Sequence, residues 1–196
     1  MSGMIASPRR LLAWRLGLLV LILVVIVALL FGPYRFLTGT VAGSADQGPR
    51  PAPCLPGEEI EILDSPHISE ADLSDVEYNS LPPTSGPHFP FSISPGIYDT
   101  AISEGLTIHA MEHGHVVVQY APAISDDELA ALERLAGRYG ADVILAPYPP
   151  LTAGIALTAW GRIHLLDRYD ERRITAFVEA LRGRYNHGWT TDDDCG

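Results

Sequence analysis

The stretch Ile108-His-Ala-Met-Glu-His-Gly-His-Val-Val-Val-Gln-Tyr120 sets the fold, because how far its strand reaches back determines what lies on the sheet. Val116 to Tyr120 is rich in β-branched side chains, closes on an aromatic one and reads as a strand. Ahead of it, His109, His113 and His115 stand with Met111 and Glu112 inside seven residues. Gly105 and Gly114 leave eight residues between them, Thr107 and Ile108 are β-branched, and three valines follow, all of which disfavour a long helix. The favoured reading is a strand or strand end. Residues of equal parity then share a face, so His109, Met111, His113 and His115 point together, with Gly114 permitting a bulge.

Downstream, Ser125-Asp-Asp-Glu128 is a capping box, and Leu129, Leu132, Leu135 and Ala136 follow at helical spacing as far as Gly140. Asp142 to Ala146 reads as a short buried strand stopped by Pro147-Tyr-Pro-Pro150. Gly154 to Trp160 and Arg162 to Leu166 read as a strand pair about Gly161. A last helix is expected from about Asp170 to Arg184, its apolar face set by Ile174, Phe177, Val178 and Leu181. Upstream, Glu58 to Leu63 alternates like a short edge strand, whereas Asp64 to Pro95 is broken by six prolines. An irregular stretch of that length in a small domain usually carries function or disorder. The order implies an α+β fold, a small sheet with two helices packed on one face. There is no internal repeat.

Leu11 to Phe31 is apolar but for Arg15 and would span roughly 30 Å as a helix, the thickness of a bilayer core. Arg9, Arg10 and Arg15 lie at or before its start, with Trp14 beside them. The positive-inside rule then puts the N-terminus in the cytoplasm. The expected organisation is a cytoplasmic tail at 1–10, a single transmembrane helix at 11–31, a linker at 32–57 and an extracytoplasmic domain at 58–196. A cleaved signal peptide ending near Ala42-Gly43-Ser44 is the alternative, although that site lies well beyond the last apolar residue.

The chain carries 13 arginines and no lysine against 24 acidic residues, for a net charge of -11. An acidic exterior argues against a nucleic-acid partner. The absence of lysine excludes Schiff-base chemistry and a phosphate-loop lysine. Cys54 and Cys195 bracket the expected outer domain. In an oxidising compartment they would pair, closing a loop worth roughly 4 to 5 kcal/mol in the chain-entropy model. Two unpaired thiols, or a Cys195 contact between chains, are the alternatives.

Four phrases occur in order: Tyr78-Asn-Ser-Leu-Pro-Pro-Thr-Ser-Gly-Pro-His88, Ile108-His-Ala-Met-Glu-His-Gly114, Ala146-Pro-Tyr-Pro149 and Ala156-Leu-Thr-Ala-Trp-Gly-Arg162. Together they resemble the bacterial family catalogued as Domain of Unknown Function 3105, over most of residues 58 to 184. The resemblance implies a single-pass or exported protein with a short α+β domain outside the membrane. It marks His88 as the family's loop histidine, His109 and His113 as its H-x-x-E-H pair, and His67 in Asp64-Ser-Pro-His67 as the histidine ahead of the first phrase. Met111 stands where the family more often has leucine. Leu166 stands where it has a cysteine, so Cys195 would replace that residue as the partner of Cys54.

Three chemistries suit the histidines. As a metallopeptidase helix, His109 and His113 would share a face with Glu112 as general base. As a strand, they would offer imidazole nitrogens beside the Met111 thioether, a donor set for a transition metal such as copper or zinc. His88 and His67, on proline-stiffened loops, would complete the ligands, with Glu112 and His115 in support. The third reading is a buried hydrogen-bond network in a metal-free envelope interaction module. Metal binding through His88, His109 and His113, with His67 and Met111 as further candidates, is the leading expectation. His164 and His187 lack such neighbours and read as ordinary. Ser85 has no G-x-S-x-G elbow around it and reads as a turn-stabilising hydroxyl. Nucleotide-binding glycine motifs and C-x-x-C pairs are absent.

Overall fold

A computed structural model describes residues 55–189. The expected membrane span at 11–31, nearly all of the expected linker, and both cysteines, Cys54 and Cys195, lie outside the described residues. Among the described residues no helix is long and apolar enough to cross a membrane.

In chain order the elements are β1 (Glu58–Glu59), a 3₁₀ turn (Glu70–Asp75), β2 (Gly96–Ile97), α1 (Glu104–Glu112) and β3 (Val116–Tyr120). Then come α2 (Asp126–Arg138), β4 (Val143–Pro147), β5 (Ile155–Ala159), β6 (Arg162–Leu166) and α3 (Glu171–Leu181). The strands form one six-stranded sheet in the order β1-β6-β5-β3-β4-β2. β4 runs parallel to both β3 and β2, and the remaining pairs are antiparallel. The α+β class is as expected, and the strand pair about Gly161 is the β5–β6 hairpin.

Strand alternation divides the core between the two faces of this sheet. Val116, Val118, Val143, Leu145, Ile155 and Leu157 meet Leu132 and Leu135 of α2 and Ile174, Phe177 and Val178 of α3. Both helices start at a capping side chain: Ser125 Oγ accepts from the Glu128 amide, and Asp170 accepts from the Arg173 amide. Two helices on one face are thus correct for α2 and α3, but a third layer covers the opposite face. There Val117, Ile144 and Ala146 pack against Ile108, Ala110 and Met111 of α1, with Trp160.

The strand expected over His109 to His115 is therefore a correction: those residues lie on and just beyond a nine-residue helix. Gly114, φ +88°, ends that helix rather than bulging a strand. Its amide donates to Met111 O and the His115 amide to Ala110 O, the paired bonds of a Schellman cap. Residues 55–57, at the end of the expected linker, also pack on the domain. Leu55 is buried, Gly57 lies against Ile163 and the Phe177 ring, and the buried Arg162 guanidinium donates to the Leu55 carbonyl.

Candidate metal centre

α1 carries His109 on its last turn and His113 at its cap, four residues apart on one face. Their Nε2 atoms are 2.9 Å apart. Gly105 makes room for this arrangement, because the Phe89 ring lies on the first turn of α1 where a side chain at 105 would collide with it at 2.9 Å. Phe89 then directs its carbonyl at His109, whose Nδ1–H donates to it at 2.6 Å.

The proline-rich segment delivers two more imidazoles. His67 and His88 pair as a parallel bridge, with the Ile68 amide on His88 O at 2.8 Å and the His88 amide on Pro66 O at 3.2 Å. Ser85 ties the segment to a distant part of the chain instead of stabilising its own turn, its hydroxyl accepting from the Leu63 amide at 3.0 Å. Tyr78 donates to Pro87 O at 2.7 Å, and burial, then the Glu104 charge, pushes its phenol up to about 12, so it remains a donor. His88 itself is fully buried, its Nδ1–H donating to Gly86 O at 2.9 Å and its ring edge-on to Trp160.

Carbonyls hold the Nδ1 atoms of both His88 and His109, which leaves Nε2 as the atom each ring turns toward its neighbours. Metal-ligating histidines are oriented in this way. Burial lowers the His88 pKa, opposed by the Gly86 hydrogen bond and the Glu112 charge, with His109 and His67 adding to the lowering. Its Nε2 has no hydrogen-bond partner and lies 3.3 Å from Glu112 Oε2, so two buried acceptors face each other. His113 is likewise held below the usual histidine value, first by partial burial and then by His109 and His187.

Two groups of potential ligands result, His67–His88–His109 and His109–Glu112–His113, each with donor atoms within 4.8 Å of one another. They share His109, and the Glu112–His88 contact closes them into one constellation. Nitrogen or oxygen donors about 2.0 to 2.1 Å from one tetrahedral ion lie about 3.3 Å apart. Of the observed separations, 3.3 Å matches that spacing and 2.9 Å is shorter than it.

Not every expected site residue is here. Met111 is 1% exposed in the apolar cluster with Val117, Ile144 and Trp160, filling core instead of facing the imidazoles. His115 falls past the helix end and belongs to neither group; burial lowers its pKa, opposed by the charge of Asp142. Glu112, expected in support, stands among the donors themselves. His187, taken from sequence as ordinary, reaches the cluster: its Nδ1 lies 3.6 Å from Glu112 Oε2 and its ring stands perpendicular to His113 at 4.7 Å. Seventy-four residues separate it from His113, so no local spacing announces it. His164 is remote from the cluster and faces Phe177.

A family model described as a protein of unknown function (DUF3105) matches residues 69–193. No curated protein and no solved structure matches the chain. The matched segment holds His88, His109, Glu112, His113 and His187 and leaves out only His67 of the constellation. By a match over more than half its length, the chain belongs to the DUF3105 family.

Proposed function

We propose that this chain is a membrane-anchored extracytoplasmic protein whose α+β domain holds one divalent transition-metal ion. His88, His109 and Glu112 are the inner ligands, with His113 and His67 as further candidates. The observation that carries this reading is the pair of facing acceptors, His88 Nε2 and Glu112 Oε2, 3.3 Å apart. Two buried lone-pair atoms at that distance repel unless a cation or a proton lies between them. The proton is disfavoured because burial, opposed by the Gly86 hydrogen bond and the Glu112 charge, still holds the His88 pKa below its ordinary value.

The two ligand groups share His109, which supports a single ion rather than two. The donors are nitrogen and oxygen, with the thioether of Met111 withdrawn into the core. That set suits zinc first and copper(II) second, and lacks the soft sulfur that copper(I) prefers. The role is metal handling, or metal-stabilised scaffolding at the envelope. Anchoring through residues 11–31 is supported by their apolar length, interrupted only by Arg15, with Arg9 and Arg10 ahead of it.

The test is metal analysis of the full-length chain purified in detergent, after chelation and reconstitution with zinc or copper(II). One ion per chain, lost in a His88→Ala/His109→Ala double variant, is expected. No stoichiometric ion after reconstitution would sink the reading in favour of a metal-free interaction module.

A hydrolase is the second reading, favoured by one observation: the H-x-x-E-H segment is helical, with both Nε2 atoms on one face. Glu112 would then take the proton from an attacking water. Glu112→Gln should abolish such an activity while an ion is still bound, and full activity in that variant excludes it.

A further inference from the structure

The C-terminal segment is fastened to the end of α1 by several independent contacts. The Gly183 amide donates to Gly114 O at 2.8 Å, and the His187 amide donates to Glu112 O at 3.2 Å. A side chain at Gly114 would strike Tyr185 O at 2.6 Å, so the glycine that caps the helix also admits this segment. The Tyr185 ring stacks on Trp160 at 4.8 Å, and Trp189 packs edge-on against Tyr185. Tyr185 and Trp189 bridge as an antiparallel pair with His187 at the tip between them.

At that tip His187 has φ +53°, alone among the described non-glycine residues in taking a positive value. Non-glycine residues adopt that conformation uncommonly, histidine being among those enriched there with asparagine and aspartate, and such positions cluster at functional sites. The effect is to hold an imidazole against the outer side of the cluster. Its Nδ1 is 3.6 Å from the Glu112 oxygen that also faces His88 at 3.3 Å. That separation is again close to the roughly 3.3 Å expected of two donors on one tetrahedral ion. The side chain is 59% exposed, which places it on the side from which an ion would enter.

We propose that His187 is a further ligand of the same ion, supplied by the C-terminal segment, so that metal binding ties residues 183–189 to the end of α1. This rests on the metal-binding reading above. His187 takes the solvent-side position, and the buried ligands form the floor of the site. Holding it by main chain and side chain to the same glutamate makes the segment and the ion mutually dependent.

The experiment uses the full-length chain in detergent, stripped of metal and titrated with zinc(II) against a chromophoric chelator. Wild type is compared with His187→Asn and His187→Gly, since asparagine and glycine both accept positive φ and keep the backbone path. Both variants should lose at least the roughly 10- to 100-fold in affinity that removal of an outer-shell partner costs, with the metal-free melting temperature unchanged. In wild type, zinc should slow hydrogen exchange at the amides of residues 183–189, and in the variants it should not. Affinities within twofold of wild type, or no zinc-dependent protection in wild type, overturn the assignment of His187 while leaving one ion bound to the other ligands. A wild-type chain that takes up no zinc overturns the metal reading, and this inference with it.

Discussion

Glu112 and His88 hold opposed acceptors in a buried contact, and that makes a substitution there act in two directions. Glu112→Gln exchanges one oxygen for an amide that donates to His88 Nε2. The metal-free domain should gain about 1 kcal/mol, the net worth of one hydrogen bond, while zinc affinity falls at least tenfold, both readable from melting and chelator competition. Loss of stability in the metal-free variant would contradict the facing-acceptor geometry. His164 gives a separate pH dependence. Burial first, then Arg173, lowers its pKa below the ordinary value of about 6.5. Above that value both folded and unfolded states are neutral there. As pH falls through it the unfolded chain protonates first, so stability declines until the folded pKa is passed. Chelator-treated wild type should therefore lose melting temperature between roughly pH 7 and 5, and His164→Gln should lose measurably less. The residues of the site were only partly legible. Histidine content marked His88, His109, His113 and His67, but neither the retreat of Met111 into the core nor the arrival of His187 has a local signature.

α1 shows why one element was misread while its neighbours were not. α2 and α3 each present one buried stripe, Leu132, Leu135 and Ala136 on one and Ile174, Phe177, Val178 and Leu181 on the other. Six of the nine residues of α1 are buried, because the sheet lies under it and the proline-rich loops cover it. A helix buried on most sides has no apolar stripe to read. The remaining signal was Gly114, which a bulge and a Schellman cap both accommodate. Gly114→Ala discriminates between them in the folded protein. With φ +88° and Tyr185 O at 2.6 Å from the new methyl, it should destabilise by more than about 1 kcal/mol in denaturant titration. It should also disturb His113, so zinc affinity should drop with it. At α2, Ser125→Ala removes both hydrogen bonds of the cap hydroxyl, which accepts from the Glu128 amide and donates to its carboxylate. A loss of about 0.5 to 2 kcal/mol is expected, without effect on metal affinity.

At the scale of the molecule, the sheet was legible because its central strands are continuous apolar runs. The third layer was not, because it depends on where the irregular stretch goes. His67 and His88 are twenty-one residues apart and meet through a bridge that no periodicity encodes. A centre built from one helix, one loop pair and the C-terminal segment ties distant parts of the chain together. Saturating it should stabilise the whole domain: at a hundredfold excess over the dissociation constant the gain is about 2.7 kcal/mol, seen as a rise in melting temperature that a chelator reverses.

The rims of the sheet carry a further consequence. β1 and β2, at its two ends, are two residues long, and β1 is Glu58–Glu59. Among the described residues the rim strands are too short to offer an incoming chain a long run of unpaired amides and carbonyls, and one of them presents negative charge. Ile97, 48% exposed on the other, has no strand continuing past it. The two ends of the sheet thus give a neighbouring copy of this domain little rim strand to pair with, even though the strands between them are rich in apolar side chains.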